Sequence, residues 1–180
     1  MGKWAPWYDA LMTVLTIGRE KKLRHLEIEL SRIRPGDSVL EIGCGTGTLT
    51  LAAKEHAGSG RVAGIDIAPE MVARAQKKAV RKGVDVSFTE GSIAAIPFPD
   101  KSFDVVMCSF MIFHMPDDVQ KAGIAEISRV LKQGGHLFIF DAVSLDPLVP
   151  VLKENAFTGI EPGNIKFIYM AISYLRAQRT

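Results

Sequence analysis

The sequence predicts a doubly wound α/β domain, built on a mostly parallel sheet with helices on both faces. Three observations lead there. Short β-branched runs alternate with longer helical stretches as far as the fifth strand candidate, and the chain shows no repeat, low-complexity segment or linker. Strand candidates such as VVMCSF and LFIF are near-continuous apolar runs, the pattern of strands covered on both faces. The length suits one domain, 1–180, able to bury about 70% of the surface its unfolded chain would expose.

Taken in order, residues 7–31 place Leu11, Val14, Leu15, Leu23, Leu26, Ile28 and Leu30 at helical spacing, with a basic interruption at Arg19, Lys21, Lys22 and Arg24. This predicts a helix broken near Gly18, and 1–34 is expected to form a helical lid. Arg34-Pro35-Gly36-Asp37 then turns the chain. Strands are expected at 38–42, 61–67, 84–89, 103–110 and 136–142, each followed by a helix or crossover. Residues 145–155 look helical, and runs at 157–161 and 165–174 flank Pro162-Gly163-Asn164. That trio predicts the turn of an antiparallel hairpin, which brings the sheet to seven strands and departs from a plain dinucleotide-binding domain.

Composition narrows the function classes. A net charge of +2 is too small to argue for nucleic acid as a partner. The two cysteines, Cys44 and Cys108, fit no metal-ligand or C-x-x-C spacing and suit a reducing compartment. MGKWAPWYDA lacks a signal peptide's apolar run, Pro6 breaks the myristoylation pattern, and no run of about 18 apolar residues occurs, so a cytoplasmic location is expected. Oligomeric state leaves no mark in the sequence.

The chemistry gathers in VLEIGCGTGTLT, residues 39–50. Gly43, Gly45 and Gly47 let the backbone turn at the end of the first strand and approach a ligand closely, and ligands of open α/β sheets sit at that end. The dinucleotide fingerprint would need glycine at position 48, which is Thr48, and no Gly-Lys-Ser/Thr follows for a phosphate loop. Glu41 would oppose a pyrophosphate at the next helix's amino end. The expected ligand carries no phosphate. S-adenosylmethionine meets that condition, with two positive centres a carboxylate can help hold.

Here the sequence resembles the class I S-adenosylmethionine-dependent methyltransferases, in particular the small-molecule group that includes the ubiquinone and menaquinone C-methyltransferases. VLEIGCGTGTLT resembles their first motif, GIDIAPEMVARA the second, IPFPDKSFDVVMCSFMIFHM the stretch through the fourth strand and VLKQGGHLFIFD the entry to the fifth, over roughly residues 35–142. The resemblance implies a Rossmann-like methyltransferase fold. It implies that Glu41 and the loop of Gly43, Cys44, Gly45 and Gly47 hold the methionine half of the cofactor. Asp66 would grip both ribose hydroxyls, and Ile67 and Met71 would pack on adenine. Where relatives carry Gly-Asp-Ala, this chain has Gly91, Ser92 and Ile93, which leaves the adenine amino group to the Ser92 hydroxyl or to backbone. The product would be S-adenosylhomocysteine.

Plainer readings stand beside these. Asp66 could be a solvated strand end, Cys44 a small loop residue, and Cys108 strand core whose backbone lines the pocket. His25 and His56 fall in helical patterns as exposed residues, and His136 starts a strand at the far end. His114 follows the fourth strand, where acceptor is expected, and is either a base or local packing. Asp117 and Asp118 read as helix caps. Tyr8 matches a Tyr-Asp pair that lies over the cofactor in similar enzymes.

Methyl transfer from a sulfonium is an in-line displacement with an activated leaving group, so alignment and exclusion of water are the main work. A phenol, thiol or activated carbon would add the need for one base, for which His114 is the candidate. The expected acceptor is a small molecule: a quinol or phenol, a lipid or another metabolite. With only a short insert before the hairpin, the amino-terminal helix must cover the site. Trp4, Trp7 and Tyr8 beside a basic stretch fit either a lid or peripheral contact with a membrane. The competing classes are a non-catalytic protein that binds S-adenosylmethionine and, against Thr48 and Glu41, a nicotinamide dehydrogenase.

Overall fold

The computed structural model describes residues 18–180. Of the expected amino-terminal lid, Tyr8 and the tryptophans lie outside the described residues, and α1 (Glu20–Ser31) lies within. The remaining elements are β1 (Val39–Ile42), α2 (Thr48–Ala57), β2 (Val62–Asp66), α3 (Pro69–Lys82), β3 (Ser87–Glu90), β4 (Phe103–Ser109), a 3-10 turn (Ile112–His114), α4 (Asp117–Val130), β5 (Leu131–Asp141), α5 (Leu148–Glu154), β6 (Phe157–Phe167) and β7 (Met170–Arg179). They build one seven-stranded sheet in the order β3-β2-β1-β4-β5-β7-β6. Strands β1 to β5 pair in parallel, while β7 runs antiparallel to both β5 and β6. This is the doubly wound, mostly parallel fold with a carboxy-terminal antiparallel hairpin that the sequence predicts.

Strand alternation divides the core between the two sheet faces. On β4, Val106 and Cys108 join Leu40, Ile42, Ile65, Ile124 and Ile127 on one side. Val105 and Met107 join Leu23, Val39, Leu49, Phe138 and Phe140 on the other. Full burial of each such side chain stabilises the fold by about 1.5–3 kcal/mol. Helix boundaries follow local chemistry: Pro69 opens α3, and Gly83, at φ 64°, closes it by donating to the Ala79 and Val80 carbonyls. Arg129 of α4 fastens the segment ahead of β4, donating to Glu126, Asp100 and the carbonyls of Ile96 and Phe98. Among the described residues no helix is long and apolar enough to cross a membrane.

Three expectations are corrected. The hairpin does not turn at Pro162-Gly163-Asn164, which lie within β6 opposite Leu175, Tyr174 and Ser173. β6 is an edge strand, and there proline's missing N–H disrupts no ladder on the solvent side. The reversal comes at Ile168, with φ 58°, and Tyr169, between the paired residues Phe167 and Met170. β5 starts at Leu131, ahead of the predicted 136, because Leu131 already pairs with Phe103. Asp117 and Asp118 are not caps: Pro116 holds the cap position, and the two acids lie in the first turn, where their charge favours the helix dipole without a capping bond.

Candidate functional site

The strand order reverses at β1, with β2 on one side and β4 on the other, so the ends of these strands open a crevice. The glycine loop lies there. Gly43, Gly45 and Gly47 have φ of 71°, 52° and 77°, the left-handed region that glycine enters without strain. A Cβ on Gly43 would meet Met111, which follows β4, at 3.0 Å. Three of the loop's N–H groups are already used: Cys44 donates to the Ile65 carbonyl, Gly47 to the Cys44 carbonyl, and Gly45 to Asp66 Oδ2 at 2.8 Å. A phosphate cradle would need those donors free.

Asp66 is half-buried, and its Oδ1 accepts from the Ala68 N–H at 2.9 Å. Each oxygen keeps a lone pair beyond these bonds, so the anchored carboxylate can still accept from a diol. Ile67, beside it, is 69% exposed, an apolar surface held out next to the acid, and Met71 is half-buried in the first turn of α3. Across the turn after β3, Gly91 donates to the Asp66 carbonyl and Ser92 Oγ accepts from Ala94 N–H. Ser92 can still donate its hydroxyl proton. Lys78 of α3 reaches back to both Thr46 and Thr48 hydroxyls at 2.9 Å, tying the loop to the helix that follows Asp66.

Glu41 differs from expectation. It is buried against α2, accepts a hydrogen bond from the Thr50 hydroxyl, and burial pushes its carboxyl up to about 8, against the pull of Thr50 and Arg24. Near neutral pH it is mostly protonated, so the charge argument against phosphate does not rest on it. The spent loop donors and Asp66 carry that argument instead.

Three other predicted contacts turn their side chains away. Cys44 packs in the small cluster of Leu51, Val72 and Phe88. Cys108 is buried within β4, and Ile93 packs against Gly123 of α4. Only the backbones of these three can border a ligand. His114 ends the 3-10 turn beyond β4, exposed, at the same end of the sheet as the loop. His25 and His56 are exposed as expected, while His136 lies back along β5 and donates to the Ser31 carbonyl.

The sequence reading missed a polar cluster below the loop. Arg24 Nη1 donates to Glu27 Oε1 at 3.0 Å and to Ser109 Oγ at 3.3 Å, and Ser109 donates to Glu27 Oε2 at 3.1 Å. Burial pushes Glu27 up, against Arg24 and Ser109, which pull it down. With Glu41, Gly43, Thr46 and Thr48, Arg24 and Ser109 line a small cavity at the loop. The signal was the spacing of Glu20, Arg24, Glu27 and Ser31, a polar stripe at helical period inside an otherwise apolar face. A cleft of about 430 Å³ at the opposite end of the sheet holds Arg32, Arg34, Asp37, Asp104, His136 and Arg176. There Glu161 pairs with both Arg32 and Arg176, and Asp104 pairs with Lys132. That internal pairing, and the distance from the carboxyl ends of the parallel strands, set it apart from the site.

A family model described as a methyltransferase domain matches residues 39–135, more than half of the chain. A demethylmenaquinone methyltransferase of Thermus thermophilus is 38% identical over 137 residues, which cover 76% of this chain and 61% of that protein. A ubiquinone/menaquinone biosynthesis C-methyltransferase of Bdellovibrio bacteriovorus is 33% identical over 139 residues, covering 77% of this chain and 58% of that one. The chain thus spans about three fifths of the length of these relatives. A solved S-adenosylmethionine-dependent methyltransferase of Aquifex aeolicus superposes with a TM-score of 0.74 at 21% identity, covering 87% of this chain and 89% of that one, a likeness of fold.

Proposed function

The chain belongs to the family of methyltransferase domains, and on that premise we propose that it transfers a methyl group from S-adenosylmethionine to a small-molecule acceptor of the quinol or phenol class. The observation that carries this is the Gly45–Asp66 bond. It spends a loop donor that a phosphate would need and presents an anchored carboxylate beside an exposed apolar residue, which suits a phosphate-free nucleoside. The residues fit: Asp66 would accept from the ribose hydroxyls, Ile67 and Met71 would pack on the adenine, and Ser92 would reach its edge. Gly43, Gly45, Gly47 and Arg24 would border the methionine half. The names of the relatives support a quinol ring as acceptor. A cytoplasmic setting belongs to the same reading, supported by two free, buried cysteines.

When bound, S-adenosylmethionine supplies an electrophilic methyl on a sulfonium leaving group. The chain's own residues have to hold the nucleoside, aim the acceptor and keep water out. Calorimetry should show binding of S-adenosylmethionine and S-adenosylhomocysteine and none of NAD. Labelled methyl should then appear on a naphthoquinol. Cofactor binding without turnover on a panel of quinols, phenols, thiols and phospholipids would favour a non-catalytic binding protein, and tight NAD binding would overturn the reading altogether.

A further inference from the structure

A quinol or phenol becomes a nucleophile only on losing its hydroxyl proton, and the structure holds a group at the acceptor end that no motif singled out. Asp141 closes β5, the strand next to β4, and is 5% exposed. Its Oδ1 accepts from the Ala142 N–H at 2.7 Å. Its Oδ2 is buried and has no hydrogen-bond donor among the described residues. A buried oxygen left in this state costs free energy unless a ligand supplies the donor, and such groups concentrate at functional sites.

The surroundings point the same way. Phe110, adjoining Asp141 at the end of β4, has φ 51°, a left-handed conformation that is an outlier for a bulky residue. It is held there by an N–H bond of 2.8 Å to the Phe140 carbonyl and by an edge-on contact of its ring with Phe140 at 5.5 Å. On the β7 side the register partner of Asp141 is Ser173, which is uncharged, as are Ser109 and Phe110 on the β4 side. Among the described residues, the titratable group whose charge reaches Asp141 is His114 of the 3-10 turn. Burial raises the carboxyl above its ordinary range, and the Ala142 bond and His114 pull it back, so its proton affinity is moved toward that of a phenol. Along the sheet Asp141 lies three strands from Asp66, roughly 14 Å at the usual strand spacing. The methyl-bearing end of a cofactor and an acceptor ring would fill that span.

We propose that Asp141 is the catalytic base for the acceptor, taking the proton from a ring hydroxyl through Oδ2. This rests on the methyl-transfer reading above. The O–H bond breaks and its electron pair moves through the ring to a carbon ortho to the oxygen. That carbon forms the new C–C bond as the S–CH₃ bond breaks, with the pair remaining on sulfur. The ring carbon then loses its proton to solvent and aromaticity returns. Asp141 then returns its proton to the ring oxygen, which carries the negative charge once the ring is aromatic again, for a net yield of methylated acceptor, S-adenosylhomocysteine and one proton.

The test is anaerobic, on the full chain, with 1,4-dihydroxynaphthalene as acceptor and Asp141→Asn as the variant, which keeps the side chain's size. Turnover should fall roughly 10²–10⁴-fold, while affinity for S-adenosylhomocysteine stays within about twofold of the unaltered protein. Loaded with S-adenosylhomocysteine, the unaltered protein should prefer 1,4-dihydroxynaphthalene to its dimethyl ether by about tenfold, the effect of one hydrogen bond. The variant should lose that preference, and Asp141→Glu should restore part of the turnover. An Asp141→Asn protein with full turnover and an unchanged acid limb would overturn the inference alone. So would one that loses thermal stability and product binding together, which would make Asp141 structural. Unaltered protein that binds cofactor yet neither binds nor methylates the naphthol would overturn the quinol reading, and this inference with it.

Discussion

Asp66 serves two purposes with one carboxylate, bracing the glycine loop through Gly45 and the start of α3 through Ala68 while keeping lone pairs for a ligand. Asp66→Ala should therefore lower affinity for S-adenosylhomocysteine on the order of 10²-fold or more, from two charge-assisted bonds. Calorimetry checks this, and circular dichroism should show a folded domain. Glu41 makes a prediction in the opposite chemical sense. Its folded carboxyl, near 8, lies above the ordinary 4.5, so its contribution to stability is complete below about 4.5 and is lost as pH rises toward 8. The melting temperature of the unaltered protein, taken relative to that of Glu41→Gln, should fall steadily from pH 5 to pH 8. A constant difference would mean that Glu41 ionises normally in the fold. Asp66 was legible because it stands at a fixed offset from the loop, at the end of a recognisable strand. The state of Glu41 was not legible, since nothing in VLEIG tells that Thr50 lies over the carboxyl and that water is excluded. Arg24 and Asp141 escaped for a related reason: a charged residue in an apolar pattern reads as exposed until the neighbouring element shows that it is buried.

The glycine loop and α2 behave as one element because Gly47 is both the last loop residue and the helix cap. A Cβ there would come within 2.7 Å of Phe88 Cζ and 2.9 Å of Ala75 Cβ, on a backbone at φ 77°. Gly36, at φ 93°, has nothing within 4 Å. Gly36→Ala should cost about 1–2 kcal/mol, strain alone, whereas Gly47→Ala adds a collision worth a further ~1–3 kcal/mol and should weaken cofactor binding as the helix start shifts. Denaturant unfolding of the two variants separates the contributions; equal losses would mean that Phe88 gives way freely. Elements were most legible where a residue's backbone preference decides the matter, as with Pro69 and Gly83 at the ends of α3. They were least legible in the hairpin. Pro162-Gly163-Asn164 carries every local turn signal yet runs straight through an edge strand, while Phe167-Ile168-Tyr169-Met170, which reads as strand, makes the turn. There the pairing of β6 with β7 over most of their length outweighs local preference.

At the scale of the whole molecule, the parallel strand order brings the loop, Asp66, Ser92, His114 and Asp141 to one end of the sheet from stretches far apart in sequence. The alternation of strand and helix made the layers legible, but periodicity carries no information on which strands are neighbours, and that order came only with the structure. The same architecture places the two thiols at different depths of one rigid body. Cys44, 5% exposed, lies beneath the loop, and Cys108, 1% exposed, lies in the central strand β4; burial keeps both protonated and unreactive. Alkylation must then wait for an opening motion. Cys44 should be modified through local fluctuation of the loop and Cys108 only through global unfolding. Mass spectrometry of the two peptides over time should show S-adenosylhomocysteine slowing Cys44 until it approaches the rate of Cys108, and equal rates without ligand would mean that the loop has no motion of its own. The two sulfurs give the molecule a pair of clocks, one timing the breathing of the cofactor loop and the other the lifetime of the folded sheet.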